Sequence, residues 1–387
     1  MVNDAHEPEL PAEHIPEGLS GLEADVWRAL SQVVDPEIRK PITGLDMVET
    51  ITVTTAGAAT VGVKLTIVGC PASRTIERDV TAATLAVPGI TEVSVHLAVM
   101  TRQERTALTE KLHGARRDMQ FPPESRTAIY AVTSGKGGVG KSTVTANLAV
   151  ALAAKGLAVG ILDADVFGFS IPGILGLVHD GVAAKPTRVG DMILPPISYD
   201  VKVISIGMFL GPSAGSGSAV AWRGPMLHRT ISQFLTDVYF GDLDILLLDL
   251  PPGTGDIAIS VGQLLPHAQV IVVTTPQSSA ADVAERSGIV ARQTGQSVLG
   301  VVENMAALVQ ADGSLLELFG SGGGAAAAQR LGVPVLASIP LSLALRAGGD
   351  AGAPVVLTAP DDPASVSIAG LAELLAGRLE PASPGER

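Results

Sequence analysis

Eight consecutive residues carry the most direct chemical signal in the chain. Gly135-Lys136-Gly137-Gly138-Val139-Gly140-Lys141-Ser142 fits the spacing G-x-x-x-x-G-K-[ST]. Glycines at these positions let the backbone curl until successive N–H groups point at phosphate oxygens. Lys141 supplies a full positive charge and Ser142 a hydroxyl able to hold Mg²⁺. A helix opening at Lys141, with Thr143 in its first turn, adds the partial charge of its N-terminus. The residues before the loop, 128–133, read as a buried strand, and those after it, 141–155, read as a helix. That order of elements is what a phosphate cradle requires, and ATP with Mg²⁺ is the ligand it implies.

Carboxylates complete such a site. The apolar run 245–249 ends in Asp249, which places a carboxylate near Mg²⁺; its other reading is a helix N-cap. Asp163 and Asp165 close the strand read over 158–163 at the same sheet edge. If the strand geometry continues, a period of two sends both to one side. Lys136 is a second lysine, at the start of the loop.

The early lysine resembles the deviant Walker A class of P-loop ATPases, which includes MinD, ParA, nitrogenase iron protein and Mrp-type proteins. From about residue 21 to residue 379 the chain resembles the Mrp family of iron–sulfur cluster carrier ATPases. The matching stretches are Asp163-Ala-Asp-Val-Phe-Gly-Phe-Ser-Ile-Pro172, Trp222-Arg-Gly-Pro-Met226 and Asp249-Leu-Pro-Pro-Gly-Thr-Gly-Asp256. Glu303-Asn304-Met305, Phe319-Gly-Ser-Gly-Gly-Gly324 and Ile339-Pro-Leu341 follow in the family's order. The resemblance implies a homodimer in which Lys136 reaches the partner's phosphates and Lys141 and Asp165 join it in hydrolysis. Asp165 would orient or activate the attacking water, Ser142 and Asp249 would organise Mg²⁺, and Gly253 would sit in a switch segment. Asn304 would bond the adenine edge or cap a strand end, while Trp222 and Arg223 would face the partner subunit or be structural.

The N-terminal part resembles a small domain of bacterial iron–sulfur maturation proteins, through Asp35-Pro36-Glu37-Ile38, Pro41-Ile42 and Gly69-Cys70-Pro71. Cys70 is the single cysteine of the chain, on a strand-to-helix turn where backbone donors and the helix dipole are expected to lower a thiol pKa. It is either an iron ligand, with Glu37 as an oxygen neighbour, or an inert small side chain. Many Mrp-type carriers hold a Cys-x-x-Cys pair just after Glu-Asn-Met. Here residues 306–314 contain no cysteine, and Gln310 and Asp312 are poor replacements for thiolates. Cluster handling then rests on Cys70 or on a partner. Two readings follow: an ATPase that carries clusters from scaffold to apo-client proteins, or a nucleotide-switched adaptor that holds none. A positioning ATPase of the ParA or MinD type would want a basic face that the C-terminal helix lacks.

These groups need a frame to position them. The 387 residues are 47% hydrophobic, 17% charged and 3% aromatic, with 43 glycines, which favours α/β layers packed through small side chains. The expected architecture is α/β: a mostly parallel P-loop NTPase sheet with helices on both faces, preceded by a small α+β domain. Residues 1–19 read as a disordered tail, 20–106 as the small domain, 107–126 as a charged linker, 127–380 as the ATPase domain and 381–387 as a tail. A hairpin over 188–194 reads as peripheral to the sheet. The net charge of −13 argues against nucleic acid or an anionic membrane as partner. No signal peptide is apparent, and with one thiol the cytoplasm is the expected compartment.

Overall fold

The computed structural model describes residues 15–19, 21–113, 120–166, 168–209, 224–310 and 312–379. Most of both tails, together with Trp222 and Arg223, lies outside them. The chain divides into two compact units, one of residues 1–117 with 187–194, the other of 118–186 with 195–387.

In the first unit the order is α1 (Leu22–Leu30), β1 (Val48–Val53), β2 (Ala58–Leu65), α2 (Ser73–Leu85), β3 (Glu92–Val99) and α3 (Arg102–His113). β1 and β2 form an antiparallel hairpin, while β2 and β3 are parallel and therefore need the crossover that α2 supplies. Gly57 closes the hairpin at φ +84°, and a Cβ there would lie 2.3 Å from the Gly89 carbonyl oxygen. α2 buries Ile76, Val80 and Thr84, one residue per turn, against the sheet side of the helix.

The segment read as a linker from 107 is instead helical back from Arg102 to His113. Its charge hid the helix, because Leu108 is the one large apolar side chain it buries. Glu104 anchors the helix, bonding Lys64 Nζ at 2.7 Å and accepting from the Thr101 N–H at 2.7 Å. The hairpin is present as Thr187–Val189 against Met192–Leu194, and it belongs to the first unit. Val189, Met192, Ile193 and Leu194 are all buried there.

The second unit is built on a nine-stranded sheet among the described residues. Its elements are β4 (Ala128–Ser134), α4 (Lys141–Ala153), β5 (Val159–Asp163), β6 (Val201–Ser205), α5 (Gly224–Asp237), β7 (Ile245–Asp249) and α6 (Asp256–Leu264). These are followed by β8 (Gln269–Thr274), α7 (Ser278–Gln293), β9 (Ser297–Val309), β10 (Leu315–Leu316), α8 (Gly323–Leu331), β11 (Val335–Leu341) and α9 (Pro363–Ala376). Across the sheet the parallel strands run β6-β5-β7-β4-β8-β9-β11, with Ile197–Ser198 and β10 added antiparallel at the two sides. One face packs α4 and α9 over Tyr130, Val132, Ile161 and Leu247. The alternate residues Ile129, Ala131, Leu246, Leu248, Val270 and Val272 are buried too, so both faces are covered and the strands read as continuous apolar runs.

β4 lies between β7 and β8, which follow it in sequence on opposite sides. The connections diverge there, and ligands of open parallel sheets bind at such a point, beyond the carboxyl ends of the strands. The register also aligns three polar residues at that edge. Asp249 pairs with Asp163, and Asp163 with Ser205, so these side chains share one face of three adjacent strands.

Leu247 sits at the centre of β7 with no exposed surface. Leu247→Ala is expected to cost about 2–5 kcal/mol, read as a lower urea midpoint at unchanged slope.

Candidate nucleotide site

The loop leaves β4 through Gly135, whose backbone is pressed onto α7: a Cβ would lie 2.2 Å from Val283 C and 2.3 Å from Ala284 N. Gly138 and Gly140 both hold φ +80°, a region L-residues enter only with strain. α4 then begins at Lys141 with Gly140 as its N-cap and no side chain capping it. Its first N–H groups, with their partial positive charge, are left for an anion.

Charges converge below this helix end. Lys141 Nζ lies 2.8 Å from Asp249 Oδ2 and 3.7 Å from Asp165 Oδ2. Ser142 Oγ donates to Asp249 Oδ2 at 2.5 Å. Thr145, one turn further on, lies 3.0 Å from Asp249 Oδ1 and 2.9 Å from the Lys141 carbonyl, so its single hydroxyl proton serves both. Asp163 accepts the Asp165 N–H at 3.1 Å and the Ser205 hydroxyl at 2.9 Å. The strand ends at Asp163, so the period of two does not carry on to Asp165, which instead accepts the Gly168 N–H at 3.1 Å. Burial pushes the Asp163 carboxyl well above the usual carboxylate range, and the neighbouring Asp249 charge pushes it further. Asp249 is raised by burial as well, with Lys141 pulling it back.

The remaining loop residues are held from β7, β8 and β9. Lys136 Nζ donates to Gln277 Oε1 at 2.9 Å, at the start of α7. Gly253, at φ +90°, donates its N–H to the Ser134 carbonyl at 2.7 Å, which ties the segment after β7 to the base of the loop. Asn304 is buried and donates its Nδ2 to the Val139 carbonyl at 2.9 Å, while Met305 adopts φ +56° directly after it. Val139 is buried and Gly137 exposed, while Thr143 is half-buried in the first turn of α4. Glu303 accepts the Gly324 N–H at 2.7 Å, so the glycine-rich start of α8 is capped by protein. Gln310 and Asp312 are engaged with Ser314 in the turn between β9 and β10. Thr145, Gln277 and Ser205 escaped the sequence reading. Only Thr145 left a signal there, one helical turn beyond Lys141 and Ser142.

In the first unit Cys70 is 3% exposed. Its thiol donates to Glu37 Oε2 at 3.4 Å, and the other Glu37 oxygen accepts the Thr187 hydroxyl at 2.6 Å. Burial, then the Glu37 charge, push the thiol up to about 12, and one bond from the Ala72 backbone does not offset them. This corrects the expectation of a lowered thiol pKa: the helix starts only at Ser73, and the carboxylate is closer than its dipole. Burial also raises Glu37 above its ordinary value. Among the described residues, no three His, Cys, Asp or Glu side chains gather as a metal site, and no helix is long and apolar enough to cross a membrane.

A glycine loop between a central parallel strand and an uncapped helix, with Lys141 and two aspartates beneath it, defines a nucleotide-binding P-loop NTPase. The sequence comparisons narrow the class. Residues 125–376 match the family model described as NUBPL iron-transfer P-loop NTPase, and residues 23–97 match that of an iron-sulfur cluster assembly protein. The chain belongs to this family of iron-transfer P-loop NTPases. It is 52% identical over 366 residues to the iron-sulfur cluster carrier protein of Mycobacterium leprae, spanning 92% of this chain and 93% of that one. It is 37% identical over 360 residues to the protein of the same name from Synechocystis, at 92% and 98% coverage.

Cys70 alkylation by iodoacetamide is expected to keep accelerating beyond pH 10, since the thiolate forms only near pH 12. Glu37→Gln removes a negative neighbour and shifts that profile to lower pH. A wild-type inflection below pH 9 would contradict the arrangement.

Proposed function

We propose that the protein hydrolyses ATP and uses the cycle to load iron–sulfur clusters onto apo-client proteins. The observation that carries this reading is the convergence of Lys141, Ser142, Asp165 and Asp249 under an uncapped helix, in a chain whose other unit matches an iron–sulfur assembly domain.

In this reading the loop amides and Lys141 hold the phosphates and stabilise charge developing on the transferred γ-phosphoryl group. The oxygen donors Ser142 and Asp249 suit Mg²⁺, which prefers hard oxygen ligands and would neutralise phosphate charge when bound. Lys141 exchanges Asp249 for phosphate as nucleotide enters. Asp165, fixed at its N–H and its carboxylate, orients the attacking water. Asn304 serves the adenine edge from its place against the loop. Lys136 leaves Gln277 to reach the phosphates bound by a second copy, which makes hydrolysis depend on a homodimer. Gly253 transmits loss of the γ-phosphate to the surface offered to scaffold and client proteins. The cluster is cargo, and Cys70 is its candidate ligand, with Glu37 positioned to take the thiol proton. We place this cycle in the cytoplasm, with neither membrane nor nucleic acid as partner.

The single cysteine supports a second reading, an adaptor whose nucleotide state recruits maturation proteins that hold the cluster themselves. Anaerobic reconstitution with iron and sulfide separates the two. The carrier reading expects bound iron and visible absorption in the wild type, both lost in Cys70→Ser. No cluster in either protein supports the adaptor. For the ATPase itself, Lys141→Ala is expected to lower turnover roughly 100-fold or more. Lys136→Ala is expected to abolish ATP-dependent dimerisation and turnover while ADP affinity stays within about twofold. Full activity of Lys141→Ala would contradict the site assignment, and an unaltered Lys136→Ala would remove the dimer.

A further inference from the structure

We propose that Ser205-Ile206-Gly207, at the carboxyl end of β6, is the seat that positions Asp165 for reaction with ATP. Ser205 holds Asp163 and Gly207 receives the ring of Phe169. The inference rests on the reading of Asp165 as the residue that orients water, and it adds two positioning residues that no motif marks.

Asp165 and Phe169 both lie beyond the last ladder pair of β5, and each is held by its own contacts. The Asp165 N–H bonds Asp163 Oδ1 at 3.1 Å. The other oxygen of Asp163 accepts the Ser205 hydroxyl at 2.9 Å, and Ser205 Oγ in turn accepts the Gly207 N–H at 3.1 Å. Asp163 and Ser205 have no exposed surface, so water does not compete for these bonds. Ser205 is the direct strand partner of Asp163. The carboxylate that fixes Asp165 is therefore itself oriented by the neighbouring strand.

Phe169 lies against the Gly207 α-carbon. A Cβ on Gly207 would stand 2.3, 2.6 and 2.9 Å from ring atoms Cδ2, Cγ and Cε2. Gly207 does not occupy the left-handed region, so its backbone does not demand glycine. The ring does. The Gly168 N–H bonds Asp165 Oδ1 at 3.1 Å, which aims the carboxylate. Ser205 touches Asp163, and Gly207 touches Phe169. Their effect on chemistry passes through Asp163 and Phe169.

The test is a double-mutant cycle on the full chain. Gly207→Ala is expected to lower kcat roughly tenfold or more by displacing the ring, with ADP affinity within about twofold of wild type. In the Phe169→Ala background there is no ring to displace, and the same alanine is expected to change kcat by less than about twofold. Ser205→Ala is expected to lower kcat at unchanged ADP affinity. Amide exchange at Asp165 and Gly168 in the ADP state provides a readout free of turnover, faster in Gly207→Ala and Ser205→Ala than in wild type. Equal losses in both backgrounds, a parallel loss of ADP affinity, or unchanged exchange would each overturn the proposal. A wild type that hydrolyses no ATP removes the function proposed above, and amide exchange then decides the seat on its own.

Discussion

Lys141 and Asp249 meet at 2.8 Å with side chains 6% and 0% exposed, and the architecture around them follows from keeping that pair partnered. Taking two ions out of water costs several kcal/mol each, and their attraction offsets this only when the remaining lone pairs and protons are satisfied. Here Ser142 and Thr145 bond the two Asp249 oxygens, while Asp163 lies beside them with its own donors. Removing one partner would strand a buried charge, at about 3–5 kcal/mol. Such a pair contributes little net stability. It does keep a lysine poised at a helix N-terminus, where phosphate is a competing partner of the same sign as the aspartate.

That constraint explains the sheet order. Asp249 reaches Lys141 because β7 lies directly beside β4, and Asp163 and Ser205 align with it through the parallel register of β7, β5 and β6. The same edge receives Gly253 on Ser134, Gln277 on Lys136 and Asn304 on Val139, so β9 and the segments following β7 and β8 bear on one loop. The first unit solves a different problem. Its single thiol is buried beside the Glu37 carboxylate, and both push it up to about 12.

Much of this was legible in the sequence because it depends on local pattern. The central strands are unbroken apolar runs, and the loop sits between such a strand and a helix whose first residues it defines. Asp249 and Lys141 could each be assigned to the site on motif alone, the one to Mg²⁺ and the other to phosphate, while their ion pair could not. What stayed hidden depends on register or on a distant neighbour. Ser205 has no local signature, and its role appears only when β6 is laid against β5. Gln277 meets Lys136 across 141 positions of sequence. The helix Arg102–His113 was masked by its charge, since one buried leucine and an ion pair to Lys64 stabilise it rather than an apolar stripe. The thiol of Cys70 was misjudged because the turn suggested backbone donors, while Glu37 comes from a segment 33 residues away.

In the proposed cycle Lys141 stays on Asp249 until phosphate and Mg²⁺ arrive together. Calorimetric titration of ATP with Mg²⁺ and with EDTA, on wild type and Asp249→Asn, tests it most directly. Weak ATP binding to wild type in EDTA and tight binding with Mg²⁺ are expected, a difference that largely disappears in Asp249→Asn because Lys141 is already free and the carboxylate is gone. An equal Mg²⁺ dependence in both proteins would contradict it.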